Sequence, residues 1–224
     1  NGFSNVHLLT AHTHMNYNIQ TSSTVMEHNI AAVCATWWWT GKDGYAGNHI
    51  CKDGSPGGYD IWEVEGTNLK WCYKGIGHNK DYQFRAYDLN EVHITSNKYA
   101  PNYTGTEWDK YAEGYTSPNT KNEVLINVWN YARGWKVEVT ENGKPLHVTR
   151  VRVRDPLHII SYNAQRLERN ADPTSAFTSA LTAHMFKVTA SNATSTLKIK
   201  VTDNFGNVYI EDMVRPKAFD EKIK

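Results

Sequence analysis

The chain has 224 residues, a formal net charge of +1 and 21% charged residues, so the totals carry no basic footprint for nucleic acid or an anionic membrane. No apolar run approaches the roughly 20 residues that cross a bilayer as a helix, and no secretory leader opens the sequence. Aromatic residues make up 12%, eight of them Trp and thirteen Tyr, which suits β structure or exposed aromatic binding faces. The length allows one or two domains with a sizeable core.

The first element is the apolar run Val6-His7-Leu8-Leu9, short enough for a buried strand, which ends at His12-Thr13-His14. In an extended chain His12 and His14 point to one side. A loop past the strand end turns both imidazoles toward one point, and imidazole is the commonest protein ligand for zinc-, iron- and manganese-class metals. Two hydrogen-bonded histidines at a strand end explain the same residues equally well. Met15 to Thr24 is polar and turn-rich and reads as the loop that carries the histidines onward. Val25 to Trp39 reads as one or two strands, interrupted by Glu27 and His28. That pair is a candidate for supporting a metal site, a carboxylate orienting a ligand imidazole; a solvated strand end is the alternative. On a strand, Trp37 and Trp39 share a face and Trp38 takes the other. They form either packing against a core or domain interface or an aromatic platform.

Gly41 to Tyr59 reads as loop. Within it, Asp53-Gly54-Ser55-Pro56-Gly57-Gly58-Tyr59 is a candidate substrate loop, because its glycines permit tight turns and close backbone approach to a ligand. Tyr59–Glu65 and Leu69–Lys74 alternate as strands around Gly66-Thr67-Asn68, a hairpin. Asp81–Tyr87 is a further strand. Glu91 to Asn122 is irregular and rich in aromatics, and reads as a linker with a short helix near Glu107 to Tyr111. From Glu123 the pattern is cleanly β: Val124–Trp129, Trp135–Thr140, an Asn142-Gly143 hairpin turn, Leu146–Val153, Ala183–Thr189, Leu197–Thr202 and Val208–Glu211. This succession predicts a β-sandwich of immunoglobulin or fibronectin type, with Asp172 to Thr182 as its one helical insertion or long loop. Cys34, Cys51 and Cys72 contain no Cys-x-x-Cys pair and suggest buried thiols or one disulfide, not a zinc site.

Leu8-Leu9-Thr10-Ala11-His12-Thr13-His14 resembles the last metal-binding motif of calcineurin-like metallophosphoesterases, an apolar strand followed by Gly-His-x-His, with Ala11 where that family usually has Gly. Val33–Trp39 and Asp53–Tyr59 resemble the segments that close such a domain in a bacterial subgroup, which carries a β-rich C-terminal domain after the catalytic one. The resemblance implies a mainly β chain: residues 1–90 as the tail of the catalytic domain, 91–120 as linker, and 121–224 as the sandwich. It implies that His12 and His14 are metal ligands, with Glu27, His28, Asp53 and Tyr59 as supporting or substrate-loop residues. No complete catalytic set lies in the chain. The cofactor it implies is a divalent metal pair, and the partners are a phosphoester substrate and a preceding part of the same polypeptide, without which the chain should be inactive. Unpaired strand edges in the first lobe predict self-association. A module of another class, binding a glycan or peptide through Trp37 to Trp39 and the Tyr-rich linker, is the competing reading.

Overall fold

The computed structural model describes residues 2–41 and 47–221; residues 42–46 of the expected Gly41–Tyr59 loop lie outside the described residues. The chain is mainly β, with 35% strand against 11% helix. Strand β1 (Val6–Thr10) pairs in parallel with β3 (Val25–Asn29), and β2 (Tyr17–Gln20) pairs antiparallel with β3, so β3 is central in a three-stranded sheet. The polar stretch expected to be all loop therefore holds a strand. Its residues carry no alternation to announce it; Asn18 is held instead from outside, donating to the carbonyl and side-chain oxygens of Asn130 at 2.8 and 2.7 Å. β3 stops at Asn29, and residues 33–40 form turns rather than the expected second strand.

The hairpin forms as expected, from β4 (Gly58–Glu65) and β5 (Asn68–Gly75), with Gly66 at φ +60° in the turn. Next come β6 (Phe84–Asp88) and two single-turn helices, α1 (Ser96–Tyr99) and α2 (Trp108–Tyr111). Then follow β7 (Glu123–Val128), β8 (Lys136–Glu141), β9 (Lys144–Pro145) and β10 (Thr149–Val153), and later β11 (Thr182–Thr189), β12 (Leu197–Thr202) and β13 (Val208–Met213). They make two antiparallel sheets, ordered β10-β11-β7-β6 and β13-β12-β8-β9. Residues of both sheets contribute to one hydrophobic cluster. Asn142 and Gly143 both take positive φ, 51° and 75°, the backbone of a type I′ hairpin turn between β8 and β9. The expected strand Asp81–Tyr87 is β6, hydrogen-bonded to β7 from Phe84↔Val128 to Asp88↔Val124.

Alternation explains the core. Val124, Ile126 and Val128 of β7 meet Phe84, Ala86, Phe186 and Val188 on their own sheet, and Val139, Leu197, Ile199 and Val201 across the gap. Leu125 points the other way, into a second cluster with Ile94, Tyr99, Tyr115, Leu157 and Ile160. Both faces of β7 are covered, so Val124, Leu125, Ile126 and Val128 are all buried, and the one polar residue among them, Asn127, donates to the Asp53 carbonyl and to Asp155 Oδ2, both at 2.9 Å.

The helical content after β10 falls at Pro156–Glu168; the segment 172–182, expected as a helical insertion or long loop, has no helix and leads as loop and turns into β11. Asp155 starts it. Its side chain accepts from the backbone N–H groups of Leu157 and His158 at 2.9 and 3.0 Å, and Pro156 occupies the first helical position, where no N–H is needed. The run passes through a π-helical turn, Ile159–Asn163, whose side chains are all buried. Cys34, Cys51 and Cys72 are free thiols. Among the described residues no helix is long and apolar enough to cross a membrane.

Candidate metal-ligand loop

β1 ends where the Thr10 carbonyl accepts from Ile30 N at 2.8 Å, and the chain then leaves the sheet. His12 and His14 both take left-handed backbone, φ 79° and 55°, so they stand on a sharply turning loop instead of extending the strand. Asn29, at the end of β3, ties that loop down by donating to Thr13 Oγ1 at 2.5 Å and to the Met15 carbonyl at 2.6 Å. Asn16 is clamped from two sides: its N–H donates to Asp53 Oδ2 at 2.5 Å, and its side-chain oxygen accepts from Asn130 N.

The two histidines differ in surroundings. His12 is exposed and makes no hydrogen bond among the described residues. His14 is 7% exposed. Its Nδ1 lies 2.5 Å from the Ala35 carbonyl oxygen, with Cys34 Sγ at 3.7 Å, and its ring stacks on Trp37 at 4.2 Å between centroids and 18° between planes. A carbonyl only accepts, so Nδ1 carries a proton, and in the neutral ring Nε2 is the nitrogen with the free lone pair. His14 Nε2 makes no hydrogen bond among the described residues.

The Trp triplet therefore sits on a turn, not a strand. Ala35, Trp37 and Trp38 have φ 49°, 53° and 69°. Trp37, Trp38 and Trp39 are 45%, 60% and 41% exposed, so the expected alternation of faces does not arise. Thr36, between Ala35 and Trp37, anchors the turn. Its hydroxyl donates to the Ile50 carbonyl at 2.8 Å, so it must accept from His158 Nε2 at 2.9 Å. His158 Nδ1 then accepts from Ser179 Oγ at 2.7 Å. Burial holds the His158 imidazole neutral, its pKa pushed down to about 3.

Asp53 is completely buried. It accepts from Ser55 N, Ser55 Oγ and His184 Nε2 at 3.0, 2.7 and 3.3 Å, besides Asn16 N. Burial pushes its pKa up, but the His184 hydrogen bond and charge, with the Ser55 and Asn16 donors, outweigh that and leave it below the usual carboxylate value. Asp53 thus braces the loop after His14 against β11. Tyr59 is exposed at the start of β4.

Glu27 and His28 lie elsewhere on the sheet. Glu27 Oε1 accepts from Thr10 Oγ1 at 2.8 Å. His28 Nε2 contacts His7 Nδ1 at 2.8 Å, and its ring meets Trp62 and Trp71 edge-on, both at 4.7 Å. Burial, with the neighbouring His7, lowers the His28 pKa to about 4. Among the described residues no hydrogen bond joins Glu27 or His28 to His12 or His14. The contacts that do reach His14, from Ala35 and Trp37, have no signature in sequence spacing; His-x-His marks the loop but not what packs on it.

The fold defines a β-rich region of several sheets, with a histidine loop clamped to its flank. The family model for the C-terminal region of calcineurin-like phosphoesterases matches residues 27–209, and the chain belongs to that family. The match begins after His12-Thr13-His14. No curated protein and no solved structure matches the chain. Calcineurin-like phosphoesterases generally use divalent metals. Among the described residues, however, no three His, Cys, Asp or Glu side chains converge as a metal-ion site. The donor chemistry of the loop fits two ligands of such a site: a solvent-facing imidazole, and a buried one whose Nδ1 is already committed.

Proposed function

We propose that this chain is the C-terminal fragment of a metal-dependent phosphoester hydrolase, carrying its last metal-binding motif and an accessory β-sandwich. The observation that carries this reading is the His14 environment. A ligand histidine ordinarily donates its second ring N–H to a carbonyl or carboxylate, and His14 donates its own to Ala35. His12 and His14 would supply two imidazole nitrogens, and the other ligands would come from a preceding part of the polypeptide. β1 supports that arrangement. It is an edge strand with Leu8 and Leu9 exposed, a template for further strands or for a second copy of the chain. The bound metals would polarise the phosphoester and activate a water for in-line attack. In this chain His12 and His14 bind, Asn29 and Asp53 hold their loop, and the sandwich braces it. The fragment 1–90, linker 91–120 and sandwich 121–224 belong to the same reading.

The three exposed tryptophans support a second reading, a module that stacks a glycan or peptide on Trp37 to Trp39. One experiment separates them. Turnover of a generic phosphoester and bound metal are measured in the longer polypeptide, and in its His12→Ala and His14→Ala variants. The hydrolase reading expects each substitution to remove most of the activity and part of the metal. Wild-type rate and metal content in both variants would leave the binding module as the better account.

A further inference from the structure

We propose that the Ala35–Trp37 turn is a positioning device for His14. The Ala35 carbonyl fixes the ring proton on Nδ1 and the Trp37 indole fixes the ring plane, so that Nε2 is the nitrogen offered to a divalent metal ion. The inference deepens the hydrolase reading and rests on it for the metal, but the state of the ring is set by contacts within this chain.

Three observations carry it. First, the hydrogen bond at 2.5 Å and the stack at 4.2 Å act on the same imidazole from different directions, one along its plane and one across its face. Together they remove both the choice of tautomer and the freedom to rotate. Second, the turn holds non-glycine residues in left-handed backbone at Ala35, Trp37 and Trp38. Such conformations persist only where the surroundings over-determine them, and they concentrate at functional sites. Here the surroundings are visible: Thr36 is pinned by Ile50 and His158, and Trp38 N donates to the Cys34 carbonyl at 2.7 Å. Third, Trp37 remains 45% exposed, so burying its own surface does not account for the strained turn that presents it.

The bracing continues inward. Trp37 lies 5.8 Å from Phe177 between ring centroids, and Phe177 meets Tyr162 of the π-helical turn edge-on at 6.0 Å. Ala35, Trp37, Phe177 and Tyr162 all fall inside the family match at residues 27–209, whereas His14 lies before it. The C-terminal region thus reaches back to set a residue it does not itself contain. Trp37 and Phe177 are positioning residues; neither is placed to touch a reacting atom.

The test uses the chain itself, labelled with 15N-histidine, and reads ring nitrogens instead of turnover. Long-range 1H–15N correlations at neutral pH report which nitrogen of His14 carries the proton, the signal being assigned by its loss in His14→Gln. The wild-type chain should show Nδ1–H alone. Trp37→Leu, which keeps bulk but not a flat face, should show mixed tautomers and bind added Zn2+ about tenfold more weakly, the lower end of what loss of a ligand-orienting partner costs. Trp37→Phe should restore both. Nε2–H in the wild-type chain overturns the proposal whether or not any variant folds. Unchanged tautomer and unchanged Zn2+ affinity in folded Trp37→Leu overturn the part assigned to the indole. Nδ1–H in the chain, with Zn2+ binding to the longer polypeptide unchanged by His14→Gln, overturns the offer to a metal and with it the hydrolase reading's claim on His14, while the locked ring stands.

Discussion

β1 and β7 are both short apolar strands, and the molecule treats them in opposite ways. β7 lies between β6 and β11, with side chains packed on both faces, and its apolar residues from Val124 to Val128 are buried. β1 is the edge of a small sheet, and Leu8 and Leu9 remain 47% and 57% exposed. The difference separates two kinds of stability. The cluster between the two sheets is held by interlocked hydrocarbon, and the same strands also bury paired polar groups, Asp88 with Arg215 and Asn127 with Asp155. The β1–β3 region and its loops are held by polar clamps, Asp53, Asn16, Asn29 and Asn130, and by ring contacts among histidines and tryptophans. Candidate chemistry sits in the second kind, where side chains have fixed hydrogen bonds but open faces.

The sharpest way to break the clamped region is Asp53→Ala. It strands four buried donors, Asn16 N, Ser55 N, Ser55 Oγ and His184 Nε2, and should cost about 3–5 kcal/mol in urea unfolding. The matching break in the apolar region is Leu197→Ala, a fully buried side chain of β12. It should cost about 3 kcal/mol through lost burial and the cavity left behind, and leave the His14 ring signals unmoved.

A pH experiment sharpens the comparison further, because the hairpin and the small sheet carry groups of opposite sign. Burial raises the Asp60 carboxyl to about 7, against the smaller lowering effect of the neighbouring Trp62 side chain. A carboxyl raised in the folded state stabilises most when protonated, below its unfolded value, and that contribution is lost as pH rises through about 7. His28, lowered to about 4, works the other way: its contribution is present above the ordinary histidine value and lost as pH falls toward 4. Between about pH 4 and 6.5 the two slopes oppose each other. Asp60→Asn should therefore raise stability at pH 8 by about 2 kcal/mol and make acid destabilisation steeper than in wild type. His28→Gln should make it shallower. Parallel curves for all three proteins would show that neither group titrates as its burial implies. The smallest effect is expected at Trp38→Ala. Trp38 is 60% exposed, and its loss should change stability by no more than about 0.5 kcal/mol. A larger thermal shift would mean that Trp38 contributes to the packing that holds the turn.

Much of the fold is legible in the sequence. The strict alternation in Lys136–Glu141, the Asn142-Gly143 turn and the apolar run in Val124–Val128 specify strands and a hairpin through purely local rules. His12-Thr13-His14 is likewise legible as a loop at a strand end. The Pro156–Glu168 helical run was also written locally, as Asp155 capping and Pro156 at the first position, but its Leu-His-Ile-Ile-Ser-Tyr stretch is apolar nearly all round and has no helical stripe to betray it.

Other features are decided only by tertiary structure, because they depend on distant partners. β2 has no apolar alternation and exists because β3 and Asn130 supply its hydrogen bonds. Whether an apolar strand is buried depends on its place in the sheet, so β1 and β7 read alike and fold unlike. Asp53 looked like a loop aspartate and became a buried hub, since His184, 131 residues away, lies within hydrogen-bond reach. Trp37 and His14, 23 positions apart, stack because a left-handed turn brings the indole back over the loop. Periodicity reports which way a side chain leaves its own backbone; what it meets there is set by the packing of elements far apart in the chain.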